Sequence, residues 1–314
     1  MKKITGILSA ILVVLSFGVD FSVPASYGQE VKIISFNIRM AYGEQGKPNS
    51  WKNRRDQVTQ IIKDGKYDFV GIQEAILTQK DRDLDQEGNL KEMLPEYGMI
   101  NRSRTESLTE GESTPVMYRK DRWQPDPQEQ GFFWLSDTPN VPASITWANA
   151  CPRTVIWGRF LELKDGQPTG KAVYFVNTHF DHVSAKAREL SSVQILDFLA
   201  ARKHKNEPVI VTGDLNSGEN SQPQKYLKGE AITVEGKTYN PPMALIDTFR
   251  VVHPDETIVG TYHGYRGTPY PDKIDYIYAP TGTKVTSSSI IRRQSETGQL
   301  PSDHFPIDAT VVFE

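Results

Sequence analysis

Short apolar runs alternate with polar stretches along the whole chain, and their spacing predicts a mixed α/β fold. Val31-Lys-Ile-Ile-Ser-Phe-Asn-Ile-Arg39 alternates as a strand does. Asn49-Ser50 offers an N-cap to a helix over residues 51–63, with Val58, Ile61 and Ile62 on one face and Gly65 as its stop. Residues 68–73 read as a short strand that delivers Glu74, and a second helix is expected within 78–94. Further strands are expected at 114–122, 132–135, 154–163 and 171–178. Residues 184–203 carry the clearest helical stripe, formed by Leu190, Val193, Ile195, Leu196 and Leu199, while Lys186, Arg188 and Glu189 face away. A buried-type strand at 209–212 precedes a looser region over 217–239, and strands resume at 273–279, 285–292 and 306–313. The two halves look alike: strand, helix, strand, then hairpin-linked strands. Two mixed sheets packed face to face, with helices outside, would bury the aromatic load of 13 Phe, 13 Tyr and 5 Trp.

The first residues break this pattern and read as an export signal. Lys2 and Lys3 form a basic start, the apolar stretch 7–19 is short for a membrane span, and small residues permit cleavage after Ala25 or Gly28. The expected organisation is a signal peptide over 1–28 and a single domain over 29–314, periplasmic or secreted. An uncleaved anchor is the alternative. The one cysteine, Cys151, cannot form an intramolecular disulfide, and beside Pro152 it reads as packing rather than as a nucleophile. A net charge of -3 shows no basic surplus, which weighs against non-specific grip on duplex nucleic acid.

Chemistry-bearing residues gather where the apolar runs end, the place where open α/β sheets present ligand groups. Asn37 follows one run and Glu74 ends another. Asn177-Thr-His-Phe-Asp-His182 holds two of the six histidines beside Asp181. Gly213-Asp214-Leu215-Asn216 permits a sharp turn, with Asp214 and Asn216 pointing the same way. Asp275 lies among apolar neighbours, where a carboxylate needs a partner, and Ser302-Asp303-His304 stands near the C-terminus. Carboxylates, amides and imidazoles in this company suit a hard divalent metal and attack on phosphorus.

This ordered set resembles the endonuclease/exonuclease/phosphatase superfamily, in particular a secreted bacterial branch related to its deadenylase and nocturnin side. The resemblance spans residues 31–313 and implies a four-layer α/β sandwich. It further implies Glu74 and Asp303 as metal ligands, with Asn37 as a metal or phosphate contact. His179 would donate to the scissile phosphate, Asp214 would orient or deprotonate water, and Asn216 would contact phosphate or metal. Asp275 would orient His304, and either Asp214 or His304 would accept the proton. Arg54, Arg153, His182 and Trp134 are substrate-side candidates. The implied protein is an Mg²⁺-dependent phosphoesterase, with Mn²⁺ as a substitute, acting as a monomer on a small or sugar-like phosphate mono- or diester. A lipid-headgroup phosphodiester ranks second and nucleic acid third. A metal-independent glycoside hydrolase and a non-catalytic binding protein are the alternatives from other classes.

Overall fold

A computed structural model of the chain describes residues 28–314 apart from Gln79, Arg82 and Leu108, so the export-signal expectation lies outside the described residues. Two six-stranded sheets dominate. The first runs from edge to edge as Lys284–Ile290, Ile307–Phe313, Gln29–Asn37, Phe69–Gln73, Val116–Arg119 and Tyr97–Ile100. The second runs as Leu245–Asp247, Asp275–Pro280, Val209–Asp214, Gln167–His179, Thr154–Lys164 and Trp123–Trp134. Both are mixed: Gln29–Asn37 pairs parallel with Phe69–Gln73 but antiparallel with Ile307–Phe313.

The layers follow from strand alternation. Val31, Ile33 and Phe69 face the second sheet, where they meet Phe160, Phe175, Ile210 and Ile277. Ile34, Phe36, Val70 and Ile72 face the other way and cover Val58, Ile61 and Ile62 of the helix Trp51–Gly65. In the second sheet, Tyr174, Val176, Val209 and Val211 turn outward onto Ile195, Leu196 and Leu199 of the helix Ala185–Ala201. Central strands buried on both faces are apolar at nearly every position, which is why they stand out in the sequence. The order of layers is helix, sheet, sheet, helix, the expected four-layer α/β sandwich.

Several boundaries differ from expectation. The second helix is confined to Gln86–Met93, because the Asp85 carboxylate accepts from the Gly88 N–H at 3.1 Å and caps it there. Tyr97–Ile100 is an additional edge strand, and Trp123–Trp134 is longer than its apolar part because a register shift interrupts it. The loose region contains a short helix, Gln222–Leu227, and the hairpin Ile232–Val234 with Lys237–Tyr239. Among the described residues no helix is long and apolar enough to cross a membrane.

Candidate active site

Strand register assembles the site. Asp214 ends its strand directly beside His179 of the parallel neighbour and Asp275 of the antiparallel one. In the facing sheet Asn37 aligns with Gln73, so Glu74 emerges next to it. The Asn37 amide bridges the sheets, donating to Glu74 Oε1 at 3.1 Å and to Asp214 Oδ2 at 3.0 Å. The Ser302 hydroxyl donates to the Asn37 carbonyl at 2.7 Å, which brings Asp303 and His304 to the same end. A cavity of about 330 Å³ opens there, lined by Glu74, His179, Asp214, Asn216, Asp303 and His304 among others.

The two histidines differ in charge. His304 Nδ1 donates to Asp275 Oδ2 at 2.9 Å, and its Nε2 lies 3.7 Å from Asp214 Oδ2. Burial alone would lower its pKa, but the Asp275 charge and hydrogen bond, helped by Asp214 and Asp303, hold it up at about 10. This pairing orients the His304 ring and favours its protonated form. His179 Nε2 accepts from the Asn216 amide at 3.0 Å, and its Nδ1 faces Glu112 Oε1 at 3.7 Å. Burial and the nearby Arg153 and Arg104 charges keep His179 neutral, well below the usual histidine range. Burial pushes the Asp214 carboxyl up to about 7, and the charge of Asp275 adds to it. Burial likewise raises Asp303. Glu74 goes the other way: burial is overcome by the Met40 N–H and by the Arg39 charge.

The remaining sequence candidates divide. Arg153 and His182 line the cavity, with Arg153 Nη2 donating to His182 Nδ1 at 3.1 Å. Asn37 and Asp275 lie beneath it, fully buried, and hold other groups. The Asn37 amide oxygen accepts from the Arg39 N–H at 3.0 Å, so its nitrogen, not its oxygen, faces the carboxylates. In this orientation the Asn37 amide braces Glu74 and Asp214. Arg54 is a correction. Its side chain is fully buried and donates to the carbonyls of Ile38, Arg39, Asn49 and Pro301, tying helix to loops away from the cavity. Trp134 is a second: its indole N–H donates to the Arg104 carbonyl at 2.9 Å behind the cavity wall. Arg39, Arg104, Glu112 and Tyr262 line the cavity and were not foreseen. Arg39 had a signal, two residues past Asn37 on the same strand end; the other three sit in loops or short strands with no motif. Cys151 also lines the cavity, and burial raises its thiol pKa, which disfavours a nucleophilic role.

Two clusters have ligand atoms close enough to share an ion. In Cys151, Asp181 and His182 the carboxylate already accepts from the N–H groups of Ala150, Val183 and Ser184, so it scaffolds the loops instead. Asp214, Asp275 and His304 form the other, at the cavity floor. Glu74 and Asp303 bracket one cationic group, the Arg39 guanidinium, at 3.7 Å and 3.8 Å. Paired hard oxygen donors around a single positive charge fit Mg²⁺ or Mn²⁺, which keep several waters and take few carboxylates.

A four-layer α/β sandwich with paired histidine–carboxylate groups and hard oxygen donors at its strand ends defines a phosphoester-hydrolase type of site. The chain belongs to the endonuclease/exonuclease/phosphatase family, whose model matches residues 34–304. Among solved structures it is similar to an endonuclease/exonuclease/phosphatase from Bacteroides vulgatus, at 29% identity and TM-score 0.76, covering 91% of this chain and 100% of that one. A mannosyl-6-phosphatase from Bacteroides thetaiotaomicron is 28% identical, with TM-score 0.75 and coverage of 90% and 100%. The human nocturnin catalytic domain, at 16% identity, TM-score 0.65 and coverage of 91% and 95%, shares the fold.

Proposed function

We propose that the protein is an exported, divalent-metal-dependent phosphoesterase that hydrolyses a small, sugar-like phosphoester by in-line attack of water. The observation that carries this reading is the position of Asp214. Its carboxylate lies 3.0 Å from the Asn37 amide, 3.4 Å from His179 and 3.7 Å from the His304 imidazolium, with a pKa near the working pH of a general base. Asp214 takes the proton of the attacking water as the new P–O bond forms. The bond to the alcohol breaks with its electron pair on the leaving oxygen, which is protonated from solvent. His304, already protonated and held by Asp275, stabilises the developing phosphoryl charge, while the Asn216 amide holds the neutral His179 ring beside it. Glu74 and Asp303 would hold the Mg²⁺, for which Mn²⁺ could substitute; when bound it withdraws charge from a phosphoryl oxygen.

The size of the cavity, at the low end of about 300–1,000 Å³ for ligand pockets, supports a small substrate. Similarity to a protein named as a mannosyl-6-phosphatase supports a sugar phosphate. Export rests on the basic and apolar N-terminal residues alone. The test is phosphate release by the purified 29–314 chain with Mg²⁺ or Mn²⁺ on sugar phosphates, other phosphomonoesters, phosphodiesters and oligonucleotides. Activity on small phosphoesters that is abolished by chelation is expected. Activity that survives chelation would move the assignment to a metal-independent hydrolase.

A further inference from the structure

Glu112 and its two arginines are not used by the mechanism above, yet they line the same cavity. Arg104 Nη1 donates to Glu112 Oε1 at 2.6 Å, and Arg153 Nη1 lies 3.7 Å from the same oxygen. Arg153 is 4% exposed and its Nε is buried without a hydrogen-bond partner among the described residues. Arg104 is more open, with 18% of its side chain exposed, and His182 stands exposed at the mouth. Since the Arg153 guanidinium donates to His182 Nδ1, the proton of this imidazole, when neutral, is on Nε2. The wall thus offers guanidinium donors, one carboxylate acceptor and one imidazole donor, graded from floor to mouth.

His179 locates this wall relative to the chemistry. One edge of its ring faces Asn216 and Asp214, and the other faces Glu112. In-line displacement puts the leaving oxygen on the side of phosphorus away from the water that Asp214 holds. The alcohol part of the substrate then meets the Arg104–Glu112–Arg153–His182 wall. Two arginines against one glutamate leave a surplus of N–H donors beside one carboxylate acceptor. Alternating donors and an acceptor, forked and held rigid, match vicinal hydroxyls, which both accept and donate.

We propose that Arg104, Glu112, Arg153 and His182 form the leaving-group subsite and select the phosphate ester of a polyhydroxylated alcohol, a hexose phosphate in class. This rests on the phosphoesterase reading. The experiment compares kcat/KM for mannose 6-phosphate, glucose 6-phosphate and 4-nitrophenyl phosphate in the wild type, Arg104→Gln and Glu112→Gln. A site built to bond hydroxyls rejects a partner lacking them strongly. The wild type is expected to prefer a hexose phosphate, and each variant to lower the ratio of hexose to nitrophenyl kcat/KM by about tenfold or more. An unchanged ratio, with both substrates falling together, overturns the subsite while leaving the phosphoesterase intact. So does a wild type that prefers the nitrophenyl ester. Absence of activity on every phosphoester sinks the parent reading, and the subsite with it. A readout independent of turnover is alkylation of Cys151, which lines the cavity. Free mannose should slow it in the wild type and not in Arg104→Gln; equal rates in both count against the subsite.

Discussion

Arg39, Glu74 and Asn216 all adopt left-handed backbone, with φ of 54°, 62° and 46°. Asparagine tolerates this conformation, but for arginine and glutamate it costs on the order of 1–3 kcal/mol and persists only where the surroundings impose it. Here the surroundings are the site itself: the Asn37 side chain and the Met40 N–H grip the Glu74 carboxylate. At the same scale the proposed mechanism divides the labour between Asp214 and His304 through their neighbours. Asp214→Asn removes the only role that needs a titrating oxygen, and His304→Ala removes the imidazolium. Each substitution is expected to lower kcat by about 100-fold or more with the fold retained. Steady-state rates with circular dichroism as the folding control check this, and near-normal turnover in either variant would break the role assignment. His263 gives a pH effect. Its ring is buried against Phe305, and burial together with the nearby His304 charge lowers its pKa to about 4. Between the unfolded value of about 6.5 and that folded value, the unfolded chain binds a proton that the folded chain refuses. Stability should therefore fall as pH drops through this window, and His263→Phe should flatten that part of the profile. Urea midpoints at pH 7.5, 5.5 and 4.5 decide it; parallel profiles for the two proteins would contradict it.

At the level of elements, the sheets meet at the site through a polar seam. Asn177 is fully buried. Its amide donates to the carbonyls of Ile72, Thr114 and Pro115, and its oxygen accepts from Gln73 at 2.7 Å and Thr212 at 3.0 Å. Gly71 makes room for this, since a Cβ there would sit 2.2 Å from Thr212 Oγ1 and 2.7 Å from Asn177 Oδ1. Leaving several buried groups unpaired at about 1–3 kcal/mol each, Asn177→Ala is expected to lose at least about 3 kcal/mol in denaturant unfolding. A loss below about 1 kcal/mol would show the seam to be replaceable by water. The seam also explains what the sequence displayed. Strands buried on both faces are apolar until the site, so Asn37, Glu74, His179 and Asp214 mark their own strand ends. Glu112 and Arg104 come from a short strand and a loop, where no run of apolar residues announces them. Arg54 and Trp134 show the opposite error. Arg54 opens the first helix near the site and Trp134 belongs to an aromatic run, but helix phase turns Arg54 toward backbone carbonyls and Trp134 spans to Arg104 instead of facing the cavity.

For the whole molecule, the consequence of the proposed mechanism is that folding and cation binding would share one set of groups. Carboxylates from both sheets converge at a single end: Glu74 from one, Asp214 and Asp275 from the other, with Asp303 from the connection before the last strand. An ion held there by Glu74 and Asp303 binds the folded chain and has no preformed site in the unfolded one. At about 100 times its Kd it adds about 2.7 kcal/mol by mass action. For a domain of this size that corresponds to a rise in Tm of several degrees, at about 2–4 °C per kcal/mol. Mn²⁺ or Mg²⁺ should therefore raise the Tm of the wild type, and chelation should reverse it. Glu74→Gln should lose most of the shift, since it removes a ligand charge while keeping the shape of the side chain. Asp181→Asn should keep it, because that carboxylate is engaged by backbone N–H groups of the neighbouring loops. If instead the Asp181 variant lost the shift and the Glu74 variant retained it, the ion would sit at the Cys151–Asp181–His182 cluster, and the roles assigned to Glu74 and Asp303 would have to be abandoned.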